Sequence, residues 1–159
     1  MTLAARVREI LEGGGGEERG GVRFLPLVTL ESETRYGLDA AMTWVAVPPD
    51  ERPALPGAPG SEHIFAEALE WKRDDFDAAL EKAAGRHGLD GDALVLSFPA
   101  LALVKTVLGT RSPYLTRLAL LWLRPTELRD VRTELVRVAA DAGLPTPVKE
   151  LAGRLVVPE

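Results

Sequence analysis

The chain has 159 residues, is 46% hydrophobic, 27% charged and 6% aromatic, contains no cysteine and carries a formal net charge of −5. A length near 150 is the usual size of one domain and suffices for a self-supporting core, so a single domain over residues 1–159 is expected. The lack of cysteine excludes disulfide scaffolds, thiolate zinc sites, thiol nucleophiles and iron–sulfur clusters, and the acidic balance does not suit a general binder of nucleic acid.

The first element read from the chain is an amphipathic helix. Thr2 is placed to cap it, Leu3, Val7, Ile10 and Leu11 share one face, and the glycines at 13–16 end it. Arg6, Arg8, Glu9 and Glu12 interrupt any apolar core of the signal-peptide kind, and no window holds the ~18 uninterrupted apolar residues of a membrane span. A cytoplasmic protein with no membrane partner is the expectation. The run GGGGEERGG reads as a flexible loop. It lacks the Lys and Ser/Thr of a phosphate loop, so it predicts no nucleotide site.

Residues 22–47 admit two readings. One is a small hairpin, with strands in VRFLPLVTL and AMTWVAV joined across ESETRYG and Pro26 on an edge. The other is a pair of helices with a turn at Glu31, Ser32 and Glu33, the second carrying Leu38, Met42, Val45 and Ala46 as its buried stripe. Short apolar runs do not separate the two by periodicity, and the stripe favours the helical reading. Residues 48–60 then hold five prolines in 13 positions and read as an extended linker, the best place for a subdomain boundary. Pro53, Pro56 and Pro59 have the three-residue spacing that polyproline grooves accept.

The rest of the chain reads as helix. Ser61 caps a helix with Ile64, Phe65, Ala68 and Leu69 on one face. Another carries Phe76, Ala79, Leu80 and Ala83 and ends at Gly85 or Gly88, and the two can also run on as one helix. Residues 93–108 and 113–123 are apolar nearly all round and read as central helices, the second opened by Ser112 and Pro113. A helix over 126–142 carries Leu128, Val131, Leu135, Val138 and Ala142, with Gly143 as its cap. Thr146 and Pro147 open a last helix with Val148, Leu151, Ala152 and Leu155.

The pairs Ser112-Pro113 and Thr146-Pro147 lie 34 residues apart, and each opens a helix that soon presents a Leu-Ala pair, Leu118-Ala119 and Leu151-Ala152. This spacing resembles HEAT-type repeats, with residues 22–47 similar in style. The resemblance covers 22–47 and 112–156. It lacks the Asp and Arg that such arrays place at set points, and 48–108 shows no repeat. It implies a curved scaffold that binds another macromolecule and implies no chemistry. The expected fold is therefore mainly α, an antiparallel helical bundle or a short HEAT-like stack of helix pairs, with a small hairpin near 22–47 as the alternative.

Chemistry is sparse. His63, Glu67 and Glu70 fall four and three residues apart and can share a helix face, which suits one histidine and two carboxylates around a metal. The bland alternative is an exposed helix start, where Glu is favoured by the dipole. His87 beside Gly88 reads as a helix-end residue. Asp74, Asp75 and Asp77 point different ways on a helix and do not converge. No serine sits in a nucleophile turn. No catalytic residue and no cofactor is assigned. Residues 1–103 carry 10 basic and 18 acidic side chains, and residues 104–159 carry 9 and 6. The basic C-terminal third holds Arg117, Arg124, Arg129, Arg132 and Arg137, interleaved with Glu127, Asp130, Glu134 and Asp141. Arg and Trp anchor interfaces, so Arg117, Arg124, Arg129, Arg132 and Trp71 are the candidate partner-binding residues. Trp122 reads as core. The function expected is a non-catalytic interaction or scaffold module with a protein partner or a second copy. The alternative is a metal- or small-ligand-binding bundle centred on His63, Glu67 and Glu70.

Overall fold

A computed structural model describes residues 1–49 and 64–158. The chain forms two compact units, Met1–Phe98 and Pro99–Glu159. Most of the proline-rich 48–60 segment, Ser61 and His63 lie outside the described residues.

The first unit is mixed α/β, which overturns the mainly α expectation. Helix α1 (Leu3–Glu12) leads into strands β1 (Glu17–Arg19), β2 (Val22–Thr29), β3 (Arg35–Asp39) and β4 (Trp44–Val47), a four-stranded antiparallel sheet in the order β1-β2-β3-β4. Thr2 caps α1, its hydroxyl accepting from the Ala5 N–H at 3.1 Å. The glycine-rich stretch is no loose loop. Gly20 and Gly21, at φ 56° and 81°, form a tight turn between β1 and β2 that places Arg19 opposite Val22.

The turn at residues 31–33 is present, but strands flank it. The Leu30 N–H donates to the Thr34 carbonyl at 2.8 Å, and the Glu33 N–H donates back to the Leu30 carbonyl at 2.9 Å. Asp39 closes the next turn, one carboxylate oxygen accepting from the Ala41 and Thr43 N–H groups at 2.9 Å each. The residues assigned to a connecting loop in the hairpin reading, Arg35 to Gly37, are the start of the central strand β3.

The physical cause of the error is a bulge. Leu25 pairs with Leu38 and Pro26 with Gly37, but the register then slips, and Val28 pairs with Tyr36. The extra residue puts Phe24, Leu25, Leu27 and Val28 all in buried positions. That 1, 2, 4, 5 spacing imitates a helix stripe and erases the alternation of a strand. Strand β4 hides its pattern differently. All four of its residues are buried, so it is covered on both faces and has no polar alternation to show.

One face of the sheet carries Phe24, Val45 and Val47, with Val22 packed against them. The other carries Tyr36, Leu38 and Trp44 and meets an aromatic cluster. A 3₁₀ turn (Ala66–Glu70) and helices α2 (Arg73–His87) and α3 (Gly91–Ser97) supply it. Phe76 lies 4.8 Å from Phe98 and 6.3 Å from Tyr36 between ring centroids, and Trp44 lies 5.2 Å from Phe98. The Trp44 N–H donates to the Ser97 carbonyl at 3.0 Å, and the Tyr36 hydroxyl donates to the Ile64 carbonyl at 2.6 Å. Polar ends in the core are thus satisfied. The helices expected to run through residues 64–87 are separate, because Trp71 and Lys72 are extended (ψ 152° and 140°).

The second unit is helical among its described residues: α4 (Ala100–Leu108), α5 (Pro113–Trp122), α6 (Arg132–Ala140) and α7 (Thr146–Leu155). Ser112 caps α5, accepting from the Leu115 N–H at 3.3 Å. The 126–142 helix is shorter than its pattern predicts. Pro125–Glu127 form a 3₁₀ turn, and α6 starts only at Arg132. Gly143 is not its cap. Asp141 ends the helix, and its carboxylate accepts two hydrogen bonds from Arg111 at 2.8 Å each and one from the Gly143 N–H at 2.8 Å. This holds the Asp141 carboxyl below its ordinary range, chiefly through the Arg111 hydrogen bonds.

Gly91–Leu108 is long and apolar enough by composition to cross a bilayer, with a mean hydropathy of 1.6 over 18 residues. The chain divides it at Phe98 and Pro99 into helices of 7 and 9 residues, each far short of the ~20 that a span needs. It is not covered on every side either, since Leu96 is 84% exposed.

Thr116 is fully buried on α5, and its hydroxyl has no partner among the described residues. A buried hydroxyl without a hydrogen bond keeps its desolvation cost. Thr116→Val removes that cost at nearly constant shape, so it raises the unfolding free energy by about 1 kcal/mol in urea titration. A loss of stability would show that the hydroxyl is satisfied.

Candidate functional site

The sequence-derived site residues do not converge. Arg117 and Arg129 are exposed, but Arg129 lies in the turn before α6 and Arg132 within it, so the expected strip along one helix is not formed. Arg132 donates from Nε to the Val157 carbonyl at 2.9 Å and ties down the end of the chain. Arg124 is half-buried, and its N–H donates to the Glu127 carboxylate at 2.8 Å. Of the metal set, His63 lies outside the described residues. Glu67 accepts a 2.5 Å hydrogen bond from the Ser32 hydroxyl, which also bonds Thr34 at 2.9 Å, and Glu70 is exposed. Among the described residues no three His, Asp or Glu side chains are placed to hold a metal. Glu67 thus closes the 31–33 turn onto the 3₁₀ turn. It also adds to burial in pushing the Tyr36 hydroxyl above its ordinary range, so Tyr36 stays protonated as a structural donor.

Trp71 is where the sequence reading and the geometry meet. It is half-buried at the junction of the 3₁₀ turn and α2, and its N–H donates to the Ala68 carbonyl at 3.1 Å. Its ring stands edge-on to Phe76, with centroids 6.1 Å apart. Phe76 is wholly buried, so Trp71 is backed by the core. Beside it lies an open groove of about 290 Å³, lined by Pro26, Leu27, Val28, Thr29, Trp71, Ala79, Lys82 and Arg86.

The two walls differ in chemistry. Ala79, Lys82 and Arg86 follow at steps of three and four and form one face of α2. Ala79 is small enough to open the groove, and the two cations edge it. The other wall is four consecutive strand residues. The bulge between Pro26 and Val28 breaks the alternation of faces along this wall, where Leu27 and Val28 are buried and Thr29 is exposed. Strand β1 pairs only with residues 22–24 of β2. Among the described residues, no strand covers residues 25–29 on that side. Pro26 fits this location, since it has no N–H to offer a ladder.

The groove's charge is local. The first unit is acidic overall, yet among the described residues no acidic side chain lines the groove and neither Lys82 nor Arg86 makes an ion pair. His87, next to Arg86, is held below its ordinary range by burial first and then by the Arg86 and Arg6 charges. The end of α2 is therefore a cationic spot on an acidic body. Sequence reasoning missed Lys82 and Arg86. The signal was present as two cations four residues apart above an alanine, but their groove exists only once β2 is a strand.

Compared with known proteins, the chain matches no family model, no curated protein and no solved structure.

Proposed function

We propose that this protein is a non-catalytic interaction module that holds a protein partner at the groove between β2 and α2. The observation that carries this reading is the half-buried Trp71 set beside β2 and two cations in one groove. Tryptophan with arginine at the centre of a patch is the composition of an interface anchor. Among the described residues that line the groove there is no nucleophile–base pair and no metal set.

A photo-crosslinking tryptophan analogue at position 71 of the full chain, which keeps the indole in place, tests this in the protein's own host. A discrete crosslinked protein is expected, and its yield should fall on Lys82→Glu with Arg86→Glu. With the partner in hand, Trp71→Ala should weaken its affinity roughly thirtyfold, the ~2 kcal/mol typical of a central anchor. Capture of no protein at position 71, or an affinity that Trp71→Ala leaves unchanged, would overturn the reading.

A further inference from the structure

A second surface lies on the helical unit. Its helix α5 (Pro113–Trp122) buries Thr116, Ala119, Leu120 and Trp122 on one side. The other side carries Tyr114, Leu118 and Leu121 at steps of four and three, which sets them in one stripe about 10 Å long. Tyr114 is 59% and Leu121 57% exposed, and Leu118 is half-buried between them. The other large apolar residues exposed among the described ones, Met1, Leu96 and Val136, stand on separate segments. Single apolar residues at a surface are ordinary, whereas a stripe at helical spacing is the pattern that another helix fits. Arg117 lies on the rim of this stripe, three residues after Tyr114 and four before Leu121. It is exposed, makes no ion pair among the described residues and is the sole charge on α5. The unit around it, Pro99–Glu159, carries 9 basic and 6 acidic side chains. Going beyond the groove reading, we infer that the α5 stripe docks an acidic amphipathic helix of a partner protein, whose apolar residues cover Tyr114, Leu118 and Leu121 and whose carboxylate meets Arg117.

Three other occupants fit less well. An extended strand would turn backbone N–H and C=O groups towards apolar side chains with nothing to pair them, whereas a helix arrives with its backbone bonds made. A second copy docked through the same face brings another Arg117 and no carboxylate, since α5 holds no acid, and like charges in an interface are unfavourable. A lipid surface takes its grip from clustered Lys and Arg, and α5 offers one cation beside three apolar side chains. A helix bearing carboxylates matches both Arg117 and the basic balance of the unit.

The test uses the ¹⁵N-labelled full chain and a pooled library of peptides of about 18 residues, long enough to be helical alone. Each presents Leu, Ile, Phe or Met at i, i+4, i+7 and i+11 on an Ala and Gln background, with Glu on both rims. The Glu peptides should shift the amides of residues 114–121. The same library with Lys in place of Glu should bind at least tenfold more weakly, and Arg117→Glu should reverse that preference. Leu121→Asp should weaken the Glu peptides at least tenfold while the unfolding midpoint in urea stays in place, because the side chain it replaces is exposed. Proline at two central positions of a binding peptide should abolish binding. No shift from any Glu peptide, equal binding by the Lys library, or binding that survives Leu121→Asp or the prolines would each overturn helix docking at α5. So would shifts confined to the Trp71 groove, the same shifts with phosphatidylglycerol vesicles alone, or shifts that grow with protein concentration alone. Capture at position 71 with no response on α5 leaves the groove reading standing and removes this one. A response on α5 with no capture at position 71 does the reverse.

Discussion

Phe76→Ala should lower the unfolding free energy by about 3–5 kcal/mol, the range for large-to-small changes at an aromatic core position. Phe76 is fully buried, and its ring meets Phe98, Trp71 and Tyr36 at centroid distances of 4.8, 6.1 and 6.3 Å. Truncation removes the transfer energy of one ring and the packing of three others. The neighbours cannot collapse into the space freely. Tyr36 is held by its hydroxyl on the Ile64 carbonyl, and Phe98 is followed by Pro99. Urea titration followed by tryptophan fluorescence measures the loss. Phe76→Leu, which keeps most of the volume, should cost well under half as much. A loss below about 1 kcal/mol for the alanine variant would mean that this cluster is not the core of the first unit. The same substitution links stability to the groove. Trp71 leans on Phe76, so a Phe76→Ala protein that is still folded should bind the partner more weakly with no groove residue changed.

Local chemistry was legible in the sequence, and long-range pairing was not. Thr2 and Ser112 were readable as caps because a cap bonds within three residues. Trp122 was readable as core, and Trp71, beside Lys72 and Arg73, as the partly exposed tryptophan. The sheet was hidden for two reasons that reinforce each other. The bulge near Leu27 gives β2 a helix-like burial pattern, and β4 is buried at every residue, so neither strand shows a period of two. The break at Pro99 was missed because an apolar pattern overrode proline, and the late start of α6 at Arg132 was missed because Leu128 and Val131 carry its stripe back towards the 3₁₀ turn at Pro125–Glu127. The groove follows from the same error. Lys82 and Arg86 are ordinary solvated cations on an isolated helix, and they edge a cavity only when a strand lies opposite. The Arg residues of the C-terminal third were singled out for their chemistry, but two of them, Arg124 and Arg132, serve turns and the chain end.

Gly37→Val should be the most damaging single change in the sheet, costing about 3 kcal/mol or more and abolishing binding at the groove, because overpacking against a rigid neighbour sits at the top of its usual range. Gly37 is in the middle of β3, opposite Pro26 and next to the bulge. A β-carbon there would collide with the Leu25 carbonyl and touch the Phe24 ring. The first obstacle is backbone and cannot rotate aside. Any side chain must therefore push β2 away from β3 at the point where the bulge sets the twist of β2. Gly21→Ala is the informative control. Gly21 has a φ of 81° with open space around it, so alanine there meets only the left-handed backbone penalty of roughly 1–2 kcal/mol. The two glycines separate crowding from conformation. Hydrogen exchange should show Gly37→Val opening residues 24–28 while α1 and the turn of Gly20 and Gly21 exchange as before. If Gly37→Val were instead no worse than Gly21→Ala, β2 and β3 would not approach as closely as described, and the strand wall of the groove would lose its basis.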